Sequence, residues 1–278
     1  MLLELSEVFV CPRCRPAQGL VVLVDRLDGR RVVEGRLGCP GCDLRVPVER
    51  GTIRFDRSRG PDGAAAPEDA PAAPDGAAGV GPGETGAGAG TAHEGAGAGG
   101  GRPPALLRDA GPGEAALRLA ALLGADRAEG YLLLGPGLAP LAAGVAERAP
   151  EAEVLALDGG PGEAPPEGVA LAVGIDAEAL PIVTGRMAGA GLADPAPGAL
   201  REATRVLREG ARLAVLAPGP ACREALEELP LRLSADEERA VVAVREAGGF
   251  EVPFARFPGG PRPRPDEGTG DGPAGGAE

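Results

Sequence analysis

Two cysteine pairs, Cys11-Pro12-Arg13-Cys14 and Cys39-Pro40-Gly41-Cys42, stand twenty-four residues apart near the start of the chain. No other feature limits the possible folds as much, because four thiolates in two tight turns can close a tetrahedron around Zn²⁺. Pro12 and Pro40 stiffen the turns, and Gly41 relaxes the second where it folds over the metal. Disulfide bridging is the alternative pairing. Two Cys-x₂-Cys units favour a metal, and the opening Met1-Leu2-Leu3-Glu4 carries no basic secretory leader. Four cysteines leave no open position for substrate, so the expected zinc is structural.

Residues 1–56 are too few to bury much of a core without such a metal. Gly19-Leu20-Val21-Val22-Leu23-Val24 and Arg31-Val32-Val33 read as strands with Asp28-Gly29 as their turn. Val46, Val48, Ile53 and Phe55 supply the apolar positions of a small sheet beside the metal. Loss of Cys39 is expected to unfold this ribbon and leave the rest of the chain intact. The run Val46-Pro47-Val48-Glu49-Arg50-Gly51-Thr52-Ile53 after the second pair resembles the zinc-ribbon family that activates tRNA, rRNA and release-factor methyltransferases. That resemblance covers residues 1–56 alone and implies a protein partner for the ribbon.

Composition divides the remainder. Residues 57–104 and 259–278 are dominated by Gly, Ala and Pro and read as a disordered linker and tail. Glycine does not recur strictly every third residue, which excludes a collagen-like repeat. Residues 105–258 are then one α/β domain, free to take more than one orientation against the ribbon. No apolar stretch is long enough to span a membrane, so a cytoplasmic protein is expected. All 28 basic residues are Arg, and the net charge is −13. Residues 1–56 hold nine Arg against eight acids, or +1, leaving −14 for the rest. Such an acidic balance disfavours unaided binding to nucleic acid. The single histidine, His93, lies in the linker, which removes Ser-His-Asp and Cys-His hydrolysis. Cys222 stands at an expected helix start and reads as a buried thiol.

Within residues 105–258, helix-like and strand-like stretches alternate, as in a parallel sheet with helices on both faces. Glu114 to Leu123 reads as a helix with Ala116, Leu117, Leu119, Ala120 and Leu123 inward. Tyr131-Leu132-Leu133-Leu134 is a strand stopping at Gly135-Pro136-Gly137, Leu141 to Arg148 is helical, and Val154-Leu155-Ala156-Leu157 ends at Asp158. Strand, glycine turn, helix, strand and terminal acid form the first half of a nucleotide-binding unit. Glycines let the backbone approach a ligand, and the acid can accept ribose hydroxyl hydrogens. An NAD-binding fold is the competitor, but Pro140 takes the third glycine position of its fingerprint.

Two later segments are more specific. Asp176-Ala177-Glu178-Ala179-Leu180-Pro181 follows a third strand, Val169 to Val173, and Leu200-Arg201-Glu202-Ala203-Thr204-Arg205-Val206-Leu207 leads through a glycine turn at Gly210 into a strand ending at Leu216. Both resemble class I S-adenosylmethionine-dependent methyltransferases. The resemblance implies a Rossmann-like fold whose sheet is closed by an antiparallel hairpin within Leu229 to Val244. It implies that Gly135 and Gly137 flank the methionine part of S-adenosylmethionine, Asp158 holds its ribose, and Asp176 with Ala177 borders its adenine.

The chain also departs from that family. Leu133 replaces the acid two residues before the first glycine, Ala139 stands for the third glycine, and residues 185–194 read as a bare loop offering only Asp194 to an acceptor. Two functions follow. One is a methyltransferase carrying its own zinc-ribbon activator, with catalytic residues and acceptor unassigned. The other is a catalytically inactive scaffold of the same fold, whose ribbon docks a partner protein.

Overall fold

A computed structural model of the chain describes residues 1–14, 18–55, 111–158, 164–237 and 239–247. The linker, residues 57–104, and the tail, residues 259–278, lie outside these. Strands β1 (Val21–Asp28), β2 (Arg31–Gly38), β3 (Arg45–Glu49) and β4 (Thr52–Arg54) form an antiparallel meander. A 3₁₀ turn, Leu3–Val8, precedes them. Strand β1 runs beyond the expected stretch, and its tight connection to β2 is Gly29-Arg30, closed by the Asp28–Arg31 pair.

The remaining strands are β5 (Gly130–Leu134), β6 (Ala152–Leu157), β7 (Val169–Val173), β8 (Met187–Ala193), β9 (Leu207–Leu216), β10 (Leu231–Glu237) and β11 (Ala240–Arg245). The sheet order is β1-β2-β3-β4-β7-β6-β5-β8-β9-β11-β10. Strands β7, β6, β5, β8 and β9 are mutually parallel, while β11 lies antiparallel to β9 and β10 antiparallel to β11. A parallel sheet reversing direction at β5, with an antiparallel hairpin at its far edge, is the Rossmann-like methyltransferase fold. Strand β4 pairs in parallel with β7, so ribbon and α/β portion share one continuous sheet. The freedom of orientation expected from the linker gives way to this pairing, and Met1–Ala247 is one compact unit.

The helices are α1 (Pro112–Leu123), α2 (Ala142–Ala146), α3 (Pro197–Val206) and α4 (Pro220–Glu227). Proline stands in the first turn of α1, α3 and α4, where its missing N–H is not needed. Leu132, Leu134, Val154 and Ala156 face α1 and α2 in one buried cluster. Their neighbours Leu133, Leu155 and Leu157 face the other way, into a cluster shared by α3, α4 and the ribbon. This period of two places every central strand between two apolar layers. Leu117, expected inward, is 52% exposed. The expected helix from Leu141 to Arg148 shortens to α2 behind a 3₁₀ turn at Ala139–Leu141. The glycine turn at Gly210 is a bulge inside β9, where the register against β8 jumps between Leu207 and Arg212.

Residues 187–193, read as a bare loop, are the fourth parallel strand itself. Met-Ala-Gly-Ala-Gly-Leu-Ala has little strand propensity, but it fits because its neighbours fill the space. A Cβ on Gly191 would stand 3.2 Å from Leu134 and 3.3 Å from Leu119. Among the described residues, no helix is long and apolar enough to cross a membrane.

Candidate metal centre and ligand edge

The thiols of Cys11, Cys14, Cys39 and Cys42 converge, with all four Sγ atoms within 4.8 Å of one another. Cys11 and Cys42 are 3.7 Å apart and Cys39 and Cys14 3.9 Å, too far for disulfides. A tetrahedron with Zn–S bonds of about 2.3 Å has S–S edges of about 3.8 Å, close to the two shortest distances here, so the chemistry and spacing of these residues fit zinc. Backbone bonds set the two turns: Cys11 N–H donates to Gln18 O at 2.8 Å and Cys39 N–H to Leu44 O at 3.1 Å. Burial opposes ionisation of Cys39, but the Gly41 N–H at 3.3 Å and the neighbouring thiols outweigh it and hold that thiol at about 7. Cys14 is pushed up to about 12 by its bond to Cys42 and then by burial. Four thiols this close need a cation before all can ionise.

From Cys11 the chain runs directly to the α/β portion. Val10 N–H donates to Pro181 O at 2.9 Å, Val183 N–H donates to Val8 O at 2.8 Å, and Phe9 bridges Ile182. The 180–184 segment is gripped from its other side by α3. Arg205 bonds Glu202 through two nitrogens at 2.9 and 2.8 Å, and reaches Ile182 O, Thr184 Oγ1 and Leu180 O. Glu202 in turn accepts from Leu180 N–H at 2.9 Å. The two motifs that carry the methyltransferase resemblance thus hold each other and the ribbon. Glu202 and Arg205 had been only part of a motif in the sequence; their pairing shows what the motif does.

A second grip closes the β4–β7 seam. Phe55 N–H donates to Val173 O at 2.9 Å, and a Cβ on Gly174 would lie 1.9 Å from Phe55 O. Only glycine fits there without a clash, and its left-handed φ of 73° is one that residues with a Cβ rarely adopt. Arg31 bonds Pro166 O at 3.1 Å and Val169 O at 3.0 Å at the opposite end of β7.

The remaining sequence-derived residues lie along the carboxyl ends of the parallel strands, where ligands bind in open α/β sheets. Gly135 ends β5 at the reversal point; its N–H bonds Gly191 O at 2.8 Å, and a Cβ would meet Leu192 at 2.7 Å. Gly137 turns the chain with φ 82°. Asp158 follows β6 and Asp194 follows β8, both exposed and both left-handed, at φ 54° and 41°. Each such conformation costs about 1 kcal/mol and marks a place where backbone geometry is imposed. Neither carboxylate has a hydrogen bond or ion pair among the described residues. Asp194 thus stands at a strand tip beside the glycine turn, a position its reading as part of a loop concealed. Asp176 is exposed and accepts Glu178 N–H at 2.9 Å, a local turn, and Ala177 is half-buried beside it. Leu133 is fully buried on the ribbon side, away from this edge. Cys222 is buried, its thiol pushed up by burial and then by Asp194.

No family model matches the chain, and no curated protein matches it. Solved structures do. A geranyl diphosphate methyltransferase in complex with SAM is 12% identical over 48% of this chain and 85% of its own, with a TM-score of 0.40. A SAM-dependent O-methyltransferase from Thermotoga maritima is 16% identical over 50% and 67%, with a TM-score of 0.36. A chain of a Haloferax volcanii complex that contains the Trm112 methyltransferase activator is 14% identical over 47% and 88%, with a TM-score of 0.39.

Proposed function

We propose that the protein is an S-adenosylmethionine-dependent methyltransferase whose structural zinc ribbon, residues 1–56, is built into the same chain. The observation that carries this reading is the ligand edge: a glycine turn at the sheet's reversal point, with the carboxylates of Asp158 and Asp194, unpaired among the described residues, on either side. The residues present fit the cofactor. Gly135 and Gly137 let backbone approach its methionine part, Asp158 accepts hydrogen bonds from the ribose hydroxyls, and Asp176 with Ala177 borders the adenine. When bound, S-adenosylmethionine supplies an activated methyl group. Asp194, across the glycine turn, orients the acceptor. The metal, held by Cys11, Cys14, Cys39 and Cys42, keeps the 180–184 segment in place and takes no part in the chemistry. A cytoplasmic setting belongs to this reading, since zinc thiolates need a reducing compartment.

Calorimetry with S-adenosylmethionine and its demethylated product tests the reading. Binding is expected, and Asp158→Ala should weaken it roughly ten- to a hundredfold, the loss of one charged hydrogen-bond contact of about 1.5–3 kcal/mol, in protein that remains folded and zinc-loaded. No binding at millimolar cofactor to folded, zinc-loaded protein would overturn it. The second reading, an inactive scaffold of this fold, is favoured by Leu133, a buried apolar residue where the resembled family carries an acid. Binding without turnover of any acceptor would select it.

A further inference from the structure

Among the described residues, strand β1 is one of the two edges of the sheet, β10 being the other, and its first four residues, Val21 to Val24, are apolar. Val21, Leu23, Val24 and Leu27 are 52%, 46%, 37% and 49% exposed, four of the seven large apolar side chains most open to solvent among the described residues. A free apolar edge is a template for strand addition unless charges or bulges blunt it, and the charges of β1, Asp25, Arg26 and Asp28, fall in its second half. The bulges here fall at Val24–Leu27, towards the hairpin, and leave Val21 to Val24 in regular pairing.

Register fixes what accompanies that regular half. Leu23 pairs Arg36, which pairs Pro47; Val21 pairs Gly38, which pairs Arg45. Paired residues share a face, so Val21, Leu23, Arg36 and Arg45 stand together on the side opposite the buried Leu37 and Val46. Gly38 has no side chain to separate Arg45 from Val21. Further along the same face, Glu34 is neutralised by Arg26 at 2.7 Å and Glu49 by Arg54 at 2.9 Å. Arg36 and Arg45 are exposed and have no hydrogen bond or ion pair among the described residues. The ribbon thus shows two uncompensated positive charges beside an apolar edge, on a chain whose net charge is −13.

We propose that this face binds an extended acidic peptide segment of a partner protein, added beside β1 with apolar residues on Val21 and Leu23 and carboxylates toward Arg36 and Arg45. Strand addition supplies main-chain hydrogen bonds, and alternate side chains supply selectivity. Asp25 and Asp28 at the hairpin end repel an acidic segment there and fix which half of β1 it pairs with. Nucleic acid suits the face less well, because no aromatic side chain lies on it to stack a base. None of Val21, Leu23, Arg36 and Arg45 is one of the four clustered cysteines or one of the residues at the ligand edge.

Fluorescence anisotropy on the full, zinc-loaded chain can test this with two labelled synthetic peptides, one alternating Glu and Val and one alternating Lys and Val. The Glu-Val peptide should bind, more weakly as salt rises, and the Lys-Val peptide should not. Leu23→Glu and the pair Arg36→Glu with Arg45→Glu should each lower affinity by about tenfold or more, with zinc content and melting temperature unchanged. Equal binding of both peptides, or no effect of either variant, would overturn the proposal. So would binding of a single-stranded RNA oligonucleotide that the Glu-Val peptide cannot displace. A concentration-dependent dimer that Leu23→Glu abolishes and the peptide leaves intact would assign the edge to a second copy and likewise refute it.

Discussion

The two faces of the α/β sheet are covered by different means. On one, α1 and α2 lie over Leu132, Leu134, Val154 and Ala156, as crossover helices do in any doubly wound sheet. On the other, α3 and α4 come from the connections after β8 and β9, and residues 174–186 between β7 and β8 form no helix. There the apolar layer includes Leu5, Val8 and Phe9 of the ribbon, in one cluster with Leu133, Leu155, Leu157 and Ile182. The cysteine-bearing ribbon is thereby part of the core of the α/β fold it joins. Its stability cannot be its own affair.

The largest test of that contrast is removal of the metal. The sequence alone led to the expectation that Cys39→Ser would unfold the ribbon and spare the rest. With the cluster shared and β4 paired to β7, the variant or a chelator should instead lower the stability of Met1–Ala247 as one cooperative unit. Structural zinc contributes on the order of 10 kcal/mol in small ribbons at neutral pH, enough to unfold a domain of ordinary stability. A two-step melt in which the second step is unmoved would restore the picture of independent modules.

Gly174→Ala attacks the same seam from the other side. The new Cβ would meet Phe55 O at 1.9 Å, and the left-handed φ of 73° adds strain of more than about 1 kcal/mol. Backbone cannot swing aside as a flexible side chain can, so β4 must leave β7. Hydrogen exchange should speed up in both strands while α1 and α2 stay protected. Unchanged protection in β4 would show that the pairing is dispensable.

How much of this could be read in the sequence depends on whether a signal is local. Cysteine spacing, the glycine turn and the acid after β6 are local, and they stand where expected along the chain and at the strand ends. The strand Met187–Ala193 was not legible, because its residues are small and it is defined by the leucines of β5 and α1 that fill its space. Nor was the parallel pairing of β4 with β7, since three residues, Thr52 to Arg54, carry no mark of a partner more than a hundred positions away. The left-handed tips at Asp158, Asp194 and Ala217 were equally hidden: non-glycine residues give no sign of a positive φ. Among the tips of the five parallel strands, Gly174 after β7 was the one left-handed position with a visible signal.

Arg205→Ala should have a smaller effect than either change at the seam. The Arg205–Glu202 pair is mostly buried, with side chains 22% and 18% exposed, and holds three oxygens of the 180–184 segment. Deleting Arg205 removes the cation beside Glu202, which keeps its bond from Leu180 N–H, and frees that segment, at roughly 2–3 kcal/mol, below the cost for a fully buried pair. Urea unfolding measures it directly. A loss under about 0.5 kcal/mol, the range of ordinary surface substitutions, would mean that the ribbon contacts alone hold the segment.

The smallest expected effect is a dependence on pH at the ribbon's other contact with the sheet. Glu153 on β6 has one carboxylate oxygen buried without a hydrogen bond, as does Glu4 in the 3₁₀ turn of the ribbon. Burial first, and then the charge of Glu4, pushes the Glu153 carboxyl above its ordinary value, while Arg30 and the amino terminus pull it down. Tyr131 on β5, raised to about 12 mainly by burial, faces the same carboxyl as a neutral phenol. A carboxyl raised on folding binds its proton more tightly in the folded state. Its contribution is therefore complete below the ordinary carboxylate range and fades as pH rises through the raised value. Glu153→Gln is neutral throughout and does not lose this contribution. The variant should match wild type at the acid end and exceed it as pH rises toward neutral, as read from urea midpoints at several pH values from below the ordinary carboxylate value of 4.5 up to neutral. Helix α1 packs on the opposite face of the sheet, so it should show no matching change in hydrogen exchange. A gap between variant and wild type that stays constant with pH would mean that Glu153 titrates as a free surface acid, and that the ribbon meets the sheet there through apolar packing alone.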